Sequence, residues 1–207
     1  MIARGPRLTG ARWASALGSL PAGEQQRVAA YKHWENQQDS VLGWHLLADL
    51  AGPDRLERDG NGRPRAQPPG DVSLSHSGGW IAAASAPEGR IGIDVEVERD
   101  ITSSLVQRCM APSEHAWLTA AAPGLAQRER FFRLWTAKES YVKATGEGIL
   151  ADLRRIAIDH SSGEPRMAGS ESDQWLFTVT RPAPHVWVTV CTERRPALRW
   201  LDVESNA

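Results

Sequence analysis

Along the chain, the spacing of the hydrophobic positions changes between that of a helix and that of a strand. Between residues 39 and 50, Val41, Leu42 and Leu46 recur at helical spacing, and Gly52-Pro53 ends the pattern. Shorter apolar runs bounded by turn residues predict strands. In the first hundred residues the predicted elements are a short strand at 12–17, helices at 21–32 and 39–50, and strands of one sheet at 72–74, 80–84 and 91–97.

The longest predicted helix covers residues 127–145. Its apolar stripe consists of Phe131, Leu134, Trp135 and Val142. Gly146 is a natural stop, because glycine readily adopts the left-handed conformation that ends many helices. The other elements predicted in this part are a helix capped by 102–104 that runs to 109, a helix that begins at Pro112, and strands at 156–158, 175–180 and 186–192.

Helices precede strands in each half of this pattern. That order predicts an α+β protein made of two similar halves, residues 1–100 and 101–207, which meet near residue 100. The sequence contains no exact repeat, so any similarity between the halves is expected in structure only.

Composition narrows the class of protein without indicating a function. The 207 residues carry 24 Lys and Arg against 25 Asp and Glu, so the net charge of −1 gives no general attraction to nucleic acid. No apolar run approaches the roughly 20 residues of a membrane helix, and none of signal-peptide length follows the N-terminal arginines. We expect a cytoplasmic protein, with Cys109 and Cys191 as reduced thiols in or near the core.

Two carboxylates stand two residues apart in Gly92–Glu96, whose sequence is G-I-D-V-E. Because side chains alternate between the faces of a strand, Asp94 and Glu96 share one face and the apolar residues beside them point to the other. Adjacent carboxylates repel each other unless a cation lies between them, and Mg²⁺ commonly takes one or two carboxylates together with phosphate oxygens. The pattern fits a metal site, and it also fits a solvated acidic strand face.

A second charged pair, Glu139 and Lys143, has the i, i+4 spacing that places both side chains on one face of the long helix. Trp135 lies one turn before Glu139, so the pair borders the apolar stripe and is partly shielded from water. This arrangement suits a third carboxylate ligand with a cation for a phosphate. The alternative is a surface salt bridge that contributes about 0.3–0.5 kcal/mol.

A third segment, residues 75–79, reads S-H-S-G-G. The hydroxyls, the glycine amides and the imidazole of His76 could together form a phosphate-binding turn. A plain β-turn and a structural histidine are the alternatives. The chain lacks the G-x-S-x-G motif that a serine hydrolase of the α/β type would carry.

Taken together, the three segments resemble the signature of 4′-phosphopantetheinyl transferases, in particular the larger monomeric type that activates peptide and polyketide synthetases. The marks of that family are an S-H-[ST] turn, a G-[IV]-D-[IVL]-E strand and a W-x-x-K-E-[AS]-x-x-K helix, in that order. This chain carries them at 75–78, 92–96 and 135–143. By motif the resemblance extends over about residues 24–148, and by pattern over most of the chain.

The resemblance implies a pseudo-dimeric fold of two α+β halves, with the active site and coenzyme A in the cleft between them. It implies that Mg²⁺ and the pyrophosphate of coenzyme A are held by Asp94, Glu96 and Glu139. Catalytic roles are implied for Glu139, which is also the first choice as acceptor of the serine proton, and for Lys143 and His76 as phosphate contacts. The further coenzyme A contacts are Arg27, Lys32, Arg63, which lies in a G-[KR]-P loop against the adenine, Ser75, and Lys138, which is either a basic contact or a structural one.

One region departs from the family pattern. A stretch ahead of an [LF]-x-G segment usually supplies basic residues for the 3′-phosphate of coenzyme A, and residues 41–43 fit that segment. Asp39 stands where an arginine is expected. The candidates to replace that contact are Arg27, Lys32 and His33.

The implied activity is the transfer of phosphopantetheine from coenzyme A to a serine of an apo acyl or peptidyl carrier protein, by a monomer that releases adenosine 3′,5′-bisphosphate. An acidic carrier is expected, because residues 125–155 carry a local excess of basic side chains. One alternative is a Mg²⁺-dependent phosphohydrolase that acts on coenzyme A or a nucleotide. Another is a non-catalytic protein that only holds coenzyme A or a carrier, which Asp39 favours.

Overall fold

The computed structural model describes residues 2–4, 7–60, 62–68, 70–148, 151–160, 163–169, 173–193 and 202–204. The helices are α1 (Gly10–Gly18), α2 (Ala22–Ala30), α3 (Trp34–Ala51), α4 (Ser103–Cys109), α5 (Pro112–Thr119) and α6 (Leu125–Thr145). The strands are β1 (Ile2–Arg4), β2 (Leu56–Arg58), β3 (Pro64–Ala66), β4 (Asp71–Ser77), β5 (Trp80–Ala86), β6 (Ile91–Val97), β7 (Ile158–Asp159), β8 (Arg166–Met167), β9 (Leu176–Ala183), β10 (Val186–Thr192) and β11 (Asp202–Glu204). Helices and strands are thus mixed in both halves, which confirms the α+β class.

The predicted helices after residue 20 are confirmed, although α3 begins earlier than expected, at Trp34. Thr102 caps α4, since its side chain accepts a hydrogen bond from the amide of Leu105. Gly146 ends α6 with a φ of 78°, in the left-handed region that glycine adopts without strain.

The strand predicted at 12–17 is wrong, because these residues form the middle of α1. Trp13, Ala16 and Leu17 stand at i, i+3 and i+4, and they pack against a buried cluster that contains Val41 of α3. The helical spacing was present in the sequence, and its apolar stripe is too short to be decisive without α3 as a packing partner.

Of the strand predicted at 156–158, only Ile158 lies in a strand. A 3₁₀ turn at Leu153–Arg155 comes first, and Asp152 caps it by accepting a hydrogen bond from the amide of Arg154. Only the short strand β7 follows, and it pairs with β8.

The three strands predicted to form one sheet divide between two. β4 and β5 pair antiparallel in a sheet with the order β11-β1-β5-β4, as predicted for them. β6 belongs instead to a second sheet with the order β6-β10-β9, where Asp94 stands opposite Thr189. The prediction of a single sheet was wrong because the partner of β6 lies about ninety residues further along the chain.

The sheets and the long helices pack as layers. α3 covers one face of the first sheet, where the cluster consists of Leu46, Leu47, Ala66, Val72, Ile81 and Ala83. Small and branched side chains fill the space between the sheets: Ala82, Ala84, Ile91, Ile93, Val95, Val186, Val188 and Val190. α6 covers the far face of the second sheet, and Phe131, Phe132 and Leu134 are fully buried there.

A seam of side-chain hydrogen bonds joins β4 to β6. The amide of Ile93 donates to Oγ of Ser73 at 3.0 Å, and the amide of Val97 donates to Oγ of Ser77 at 3.2 Å. Both contacts have a sequence separation of 20, so the two strands run parallel. Serine hydroxyls thereby replace the backbone carbonyls that a regular sheet would offer to β6.

Gly92 allows α6 to lie directly on β6. A methyl group at this position would come within 1.9 Å of the carbonyl oxygen of Ser140 and 2.6 Å of the amide nitrogen of Ala144. Any side chain at residue 92 would therefore push α6 away from the strand. This close approach brings the helix face that carries Glu139 and Lys143 to the carboxylates of β6.

A boundary near residue 100 stays a prediction, and β6, which precedes it, is hydrogen-bonded to β10 of the second half. Cys109 and Cys191 are free and buried, as predicted. Among the helices of the described residues, none combines the length and the apolar character required to cross a membrane.

Candidate active site

Asp94 and Glu96 lie on the same side of β6, as the strand alternation predicts, and each is held by several donors. Asp94 Oδ1 accepts hydrogen bonds from Ser75 Oγ at 2.8 Å and from Lys143 Nζ at 2.6 Å. The donors to Glu96 are Ser77 Oγ at 2.7 Å, Arg99 Nη1 at 2.7 Å and Trp135 Nε1 at 3.1 Å. The two carboxylates are therefore fixed in place, and the solvated acidic strand face is not what the structure contains.

Burial raises the pKa of Asp94, and the nearby carboxylate of Glu96 raises it further, while Lys143 and Ser75 act in the opposite direction. Only 4% of the residue is exposed. Its second oxygen, Oδ2, is buried and has no hydrogen-bond partner among the described residues. A buried carboxylate oxygen without a donor is unfavourable, and a cation or a proton would satisfy it.

Glu139 of α6 lies near the same carboxylates. Its pKa is raised, first by burial and then by the negative charge of Asp94, with a smaller contribution from Glu96. Lys143 lowers it, in keeping with the predicted shared helix face. The ammonium group of Lys143 nevertheless contacts Asp94 directly, so the surface salt bridge between Glu139 and Lys143 is not the arrangement found.

A cleft of about 620 Å³ lies beside these residues and is lined from both halves of the chain. The loop of Gly62, Arg63 and Pro64 and the strand residues Ser73 and Leu74 form one wall, and Glu139, Val142, Lys143 and Gly146 form the other. Cavities of 300–1,000 Å³ are typical of sites for small ligands. The cleft can therefore hold a ligand of cofactor size against Glu139 and Lys143.

Two arginines lie at or near the wall of this cleft. Arg63 Nη2 donates to Asp71 Oδ2 at 2.9 Å, but its Nη1 is buried without a hydrogen-bond partner in the described part of the chain. A methyl group on Gly146 would lie 3.3 Å from that Nη1, and one on Gly62 would lie 3.0 Å from Nη2 of Arg27. Arg27 and Arg63 are thus both near the cleft, and Arg63 offers an unused donor to an anion.

The residues around Asp94 fit a divalent cation of the hard type. The donors are carboxylate oxygens, one of them is the unpartnered Asp94 Oδ2, and the carboxylates raise one another's proton affinity. Over the residues that the structure describes, no three His, Cys, Asp or Glu side chains are gathered into a metal cage. The described carboxylates therefore do not form a complete metal cage by themselves, and other oxygen ligands would be needed to complete the coordination of a cation.

Residues 75–77 form the end of strand β4, and Gly78 and Gly79 form the tight turn that connects it to β5, which fits the alternative of a plain β-turn. Ser75 supports Asp94, as described, and faces the seam with β6. His76 points to the opposite face of β4, where its Nδ1 lies 3.2 Å from Oδ2 of Asp39 on α3. Asp39, which stands in place of an expected arginine, thus pairs with the predicted phosphate contact.

Lys138 is not brought to the cleft, which corrects its prediction as a coenzyme A contact. It is fully buried, and its ammonium group contacts Glu114 at 2.5 Å and the carbonyl oxygens of Cys109 and Leu153. Because its ammonium group is directed into the core, Lys138 has the structural role, the second of the two predicted for it. Lys32 is exposed in the turn between α2 and α3.

Three residues that hold Glu96 were not predicted from the sequence to do so: Ser77, Arg99 and Trp135. A signal existed for Ser77, because it alternates with Ser75 on β4 and therefore faces the same way. The indole of Trp135 was interpreted as part of an apolar stripe, although a half-buried indole N–H normally finds an acceptor. Arg99 follows β6 in an irregular segment, and nothing in its local sequence indicates its partner.

Comparisons with known proteins agree with the motifs. The profile of the 4′-phosphopantetheinyl transferase superfamily matches residues 90–191. A 4′-phosphopantetheinyl transferase of Bacillus subtilis is 36% identical over 154 residues, which cover 69% of this chain and 67% of that protein. One of Bacillus pumilus is 37% identical over 147 residues, with 69% of this chain and 61% of the relative covered.

A longer match, over 95% of this chain and 74% of the relative, is found with the human L-aminoadipate-semialdehyde dehydrogenase-phosphopantetheinyl transferase, at 23% identity. Among solved structures, the holo-[acyl-carrier-protein] synthase of Thermotoga maritima is similar over 51% of this chain and 64% of its own, with a TM-score of 0.42 and 19% identity. On the matched profile and the Bacillus relatives, the chain belongs to the 4′-phosphopantetheinyl transferase superfamily.

Proposed function

We propose that this chain transfers 4′-phosphopantetheine from coenzyme A to a serine of an apo carrier protein in a Mg²⁺-dependent reaction. The observation that carries the proposal is the meeting of Asp94 on β6 with Glu139 and Lys143 on α6, beside a cleft of about 620 Å³. Strand and helix belong to a region in which the family profile matches continuously. A metal-assisted transfer of a phosphate-linked group from a pyrophosphate to a hydroxyl uses such a combination of carboxylates and a cation.

In the proposed reaction the serine Oγ forms a bond to the phosphorus that carries the pantetheine arm. The bond from that phosphorus to the bridging oxygen breaks, and adenosine 3′,5′-bisphosphate leaves with the bonding electron pair. Lys143 and Arg63 lie where they can donate to phosphate oxygens, because Lys143 lines the cleft and Arg63 has a free Nη1. Fixed donors of this kind stabilise the charge that builds up on those oxygens.

Glu139 is the residue that we propose to accept the serine proton, directly or through a water molecule. It lines the cleft and is half-buried, and burial together with Asp94 raises its pKa. A carboxylate with a raised proton affinity is a stronger base near neutral pH than a solvated one.

The groups that would hold Mg²⁺ are Asp94 through its unpartnered Oδ2, Glu96 and Glu139. When bound, Mg²⁺ supplies positive charge that stabilises the negative charge of the pyrophosphate. Ser75, Ser77 and Trp135 keep the two strand carboxylates oriented towards this point. Such supporting hydrogen bonds commonly decide the affinity of a metal site.

For the carrier protein we propose an acidic surface, although the structure reduces the basic patch that suggested it. Lys138 is buried and Lys143 contacts Asp94, so neither is available to a partner. Arg155 remains exposed beyond the end of α6. Arg155→Glu is expected to raise the KM for the carrier protein while the affinity for coenzyme A stays unchanged, and an unchanged KM would remove Arg155 from the docking surface.

The pairing of His76 with Asp39 favours one competing function, a protein that binds coenzyme A or a carrier without catalysis. A carboxylate 3.2 Å from His76 opposes the approach of a phosphate to that imidazole. Catalysis is favoured by the presence of all the predicted carboxylates and of the lysine, namely Asp94, Glu96, Glu139 and Lys143. Asp39→Asn tests this repulsion, since it should increase coenzyme A affinity if His76 contacts a phosphate.

The test is intact-protein mass spectrometry of an apo carrier protein incubated with this protein, coenzyme A and Mg²⁺. We expect the carrier to gain one phosphopantetheine group, and we expect EDTA, Asp94→Asn or Glu139→Gln to prevent the gain. Asp152→Asn is the matched control, because Asp152 is an aspartate that pairs with Arg154 at the surface. Binding of coenzyme A without modification of several carriers would support the binding protein, and hydrolysis of coenzyme A without a carrier would support the phosphohydrolase.

A further inference from the structure

Each of the two carboxylates on β6 is already paired with a cation of the protein. Lys143 lies 2.6 Å from Asp94, and Arg99 lies 2.7 Å from Glu96. Asp94 is 6% exposed and Glu96 15% exposed in their side chains, so both pairs are partly shielded from solvent. The negative charge that Asp94 and Glu96 offer to a divalent metal ion is therefore largely neutralised before the metal ion binds.

Lys143 already has a proposed role as a phosphate contact, whereas no role has been proposed for Arg99. It follows β6, its side chain is 52% exposed, and its guanidinium carbon lies 5.4 Å from the ring centre of Phe132. Its Nη1 shares Glu96 Oε2 with the hydroxyl of Ser77. The other oxygen of Glu96 accepts the indole N–H of Trp135.

We propose that Arg99 is a positioning residue that weakens the binding of a divalent cation at Glu96 and Asp94, so that the cation binds firmly only together with the phosphates of a substrate. This inference rests on the metal site of the proposed function. Arg99 occupies an oxygen that the cation needs, and its charge repels the cation at short range. Phosphate oxygens would offset that repulsion by adding negative charge at the open positions.

The geometry separates this electrostatic effect from a purely structural one. Without Arg99, Glu96 retains two donors, Ser77 and Trp135, on different oxygens, so its orientation is preserved. Removal of the guanidinium then leaves an oriented Glu96 carboxylate with one free coordination position and without the competing charge of Arg99, while Lys143 stays paired with Asp94. The affinity for the cation should therefore rise when Arg99 is removed. If Arg99 only held Glu96 in place, its removal would weaken the site instead.

The experiment measures Mn²⁺ binding to the full chain, without coenzyme A, from the electron paramagnetic resonance signal of free Mn²⁺. Arg99→Gln and Arg99→Met, which both remove the charge, are expected to bind Mn²⁺ about three- to tenfold more tightly than the wild type at low salt. Arg99→Lys, which keeps a positive charge, is expected to stay near the wild-type value. The gain should shrink as the salt concentration rises.

Arg181→Gln is the matched control. Arg181 also pairs with a glutamate, Glu129 at 3.0 Å, and also lies over an aromatic ring, that of Trp187 at 4.6 Å. No hydrogen bond joins it to Asp94 or Glu96 in the described part of the chain, although Trp187 stands opposite Glu96 on β10, so its loss should change Mn²⁺ affinity much less than the loss of Arg99. A second Arg99 variant is included so that the result does not depend on the folding of one protein.

An unchanged or weaker affinity in both charge-removing variants, with binding that Asp94→Asn abolishes, would overturn the role of Arg99 and leave the metal site standing. Absence of Mn²⁺ binding in the wild type and in both variants would overturn the metal site and this inference together. Binding that appears only in the Arg99 variants, and is lost on addition of Asp94→Asn, would support the inference.

Discussion

Lys143 Nζ lies 2.6 Å from Asp94 Oδ1, in a contact that joins the last turns of α6 to the middle of β6. The contact depends on Gly92, which lets the helix backbone approach the strand, and on Ser75, which holds the same carboxylate oxygen. Asp94 Oδ2 stays without a donor among the described residues. Under the proposed function this half-neutralised carboxylate binds the cation, and its energetics can be tested separately from catalysis.

Asp94→Asn is expected to abolish transfer while the fold survives. The amide can still accept a hydrogen bond from Ser75, and burial opposes the ionised form of Asp94, which raises its pKa, so the loss of the ion pair with Lys143 is offset in the metal-free protein. We expect activity to fall by about 10²-fold or more. The free energy of unfolding, measured in urea with EDTA present, should be unchanged or slightly higher.

Two further measurements check that prediction. Asp152→Asn, at an exposed ion pair, should retain both activity and stability. Addition of Mg²⁺ should raise the melting temperature of the wild type and leave that of Asp94→Asn unchanged. A variant with near-wild-type transfer in the presence of Mg²⁺ would remove Asp94 from the site.

Lys138→Met is expected to destabilise the protein by about 3–5 kcal/mol, because it leaves the buried carboxylate of Glu114 without its cation. Glu114 also accepts the amides of Ala111 and Ile158, so its position ties α5 to β7. The double variant Lys138→Met with Glu114→Gln should recover much of that loss in urea denaturation. Coenzyme A affinity of the folded single variant should equal that of the wild type, and a specific loss of affinity would return Lys138 to the cleft.

Gly92→Ala is expected to destabilise the protein by about 2–4 kcal/mol, because its methyl group would lie 1.9 Å from the carbonyl oxygen of Ser140. Activity should fall as well, since α6 carries Glu139 and Lys143. Gly23→Ala is the control: Gly23 lies in α2, and a methyl group there has no neighbour within 4 Å. That change should stabilise by about 0.5–1 kcal/mol, and an equal effect of both changes on urea unfolding would contradict the close approach.

Local pattern was sufficient for some parts of this site. Strand alternation predicts that Asp94 and Glu96 share a face, and helical spacing predicts the same for Glu139 and Lys143. In both cases the chemistry lies on one regular element, so the period alone places the side chains relative to each other. The start of α4 at Thr102 and the end of α6 at Gly146 were equally local, because capping depends on a few neighbouring residues.

Non-local packing decided the rest. Adjacent residues on a helix point about 100° apart, so when one of Lys138 and Glu139 faces the core, the other can face the cleft. Which of them does depends on where Glu114 and the carbonyl oxygens of Cys109 and Leu153 lie. The sheet membership of β6 depends on β10, and the pairing of His76 with Asp39 depends on the packing of α3 on β4. Each of these contacts joins residues that are distant in sequence.

His160 provides a prediction of pH dependence that is remote from the proposed catalytic groups. Its ring is stacked on Trp117 with centroids 4.8 Å apart, and it is only 9% exposed. Both ring nitrogens are buried and have no hydrogen-bond partner in the described ranges. Burial, with a contribution from the positive charge of Arg133, lowers the pKa of His160 from 6.5 to about 4.

Since the pKa of His160 is lower in the folded chain, the unfolded chain takes up the proton more readily as pH falls. The stability associated with a neutral His160 is complete above pH 6.5 and is lost progressively towards pH 4, by about 2–3 kcal/mol. His160→Phe keeps a ring against Trp117 and cannot titrate. The free energy of unfolding of this variant, relative to the wild type, should therefore increase by that amount between pH 7 and pH 4. His33→Phe, at an exposed position, should show no such change, and parallel pH profiles of wild type and His160→Phe would contradict a buried neutral histidine.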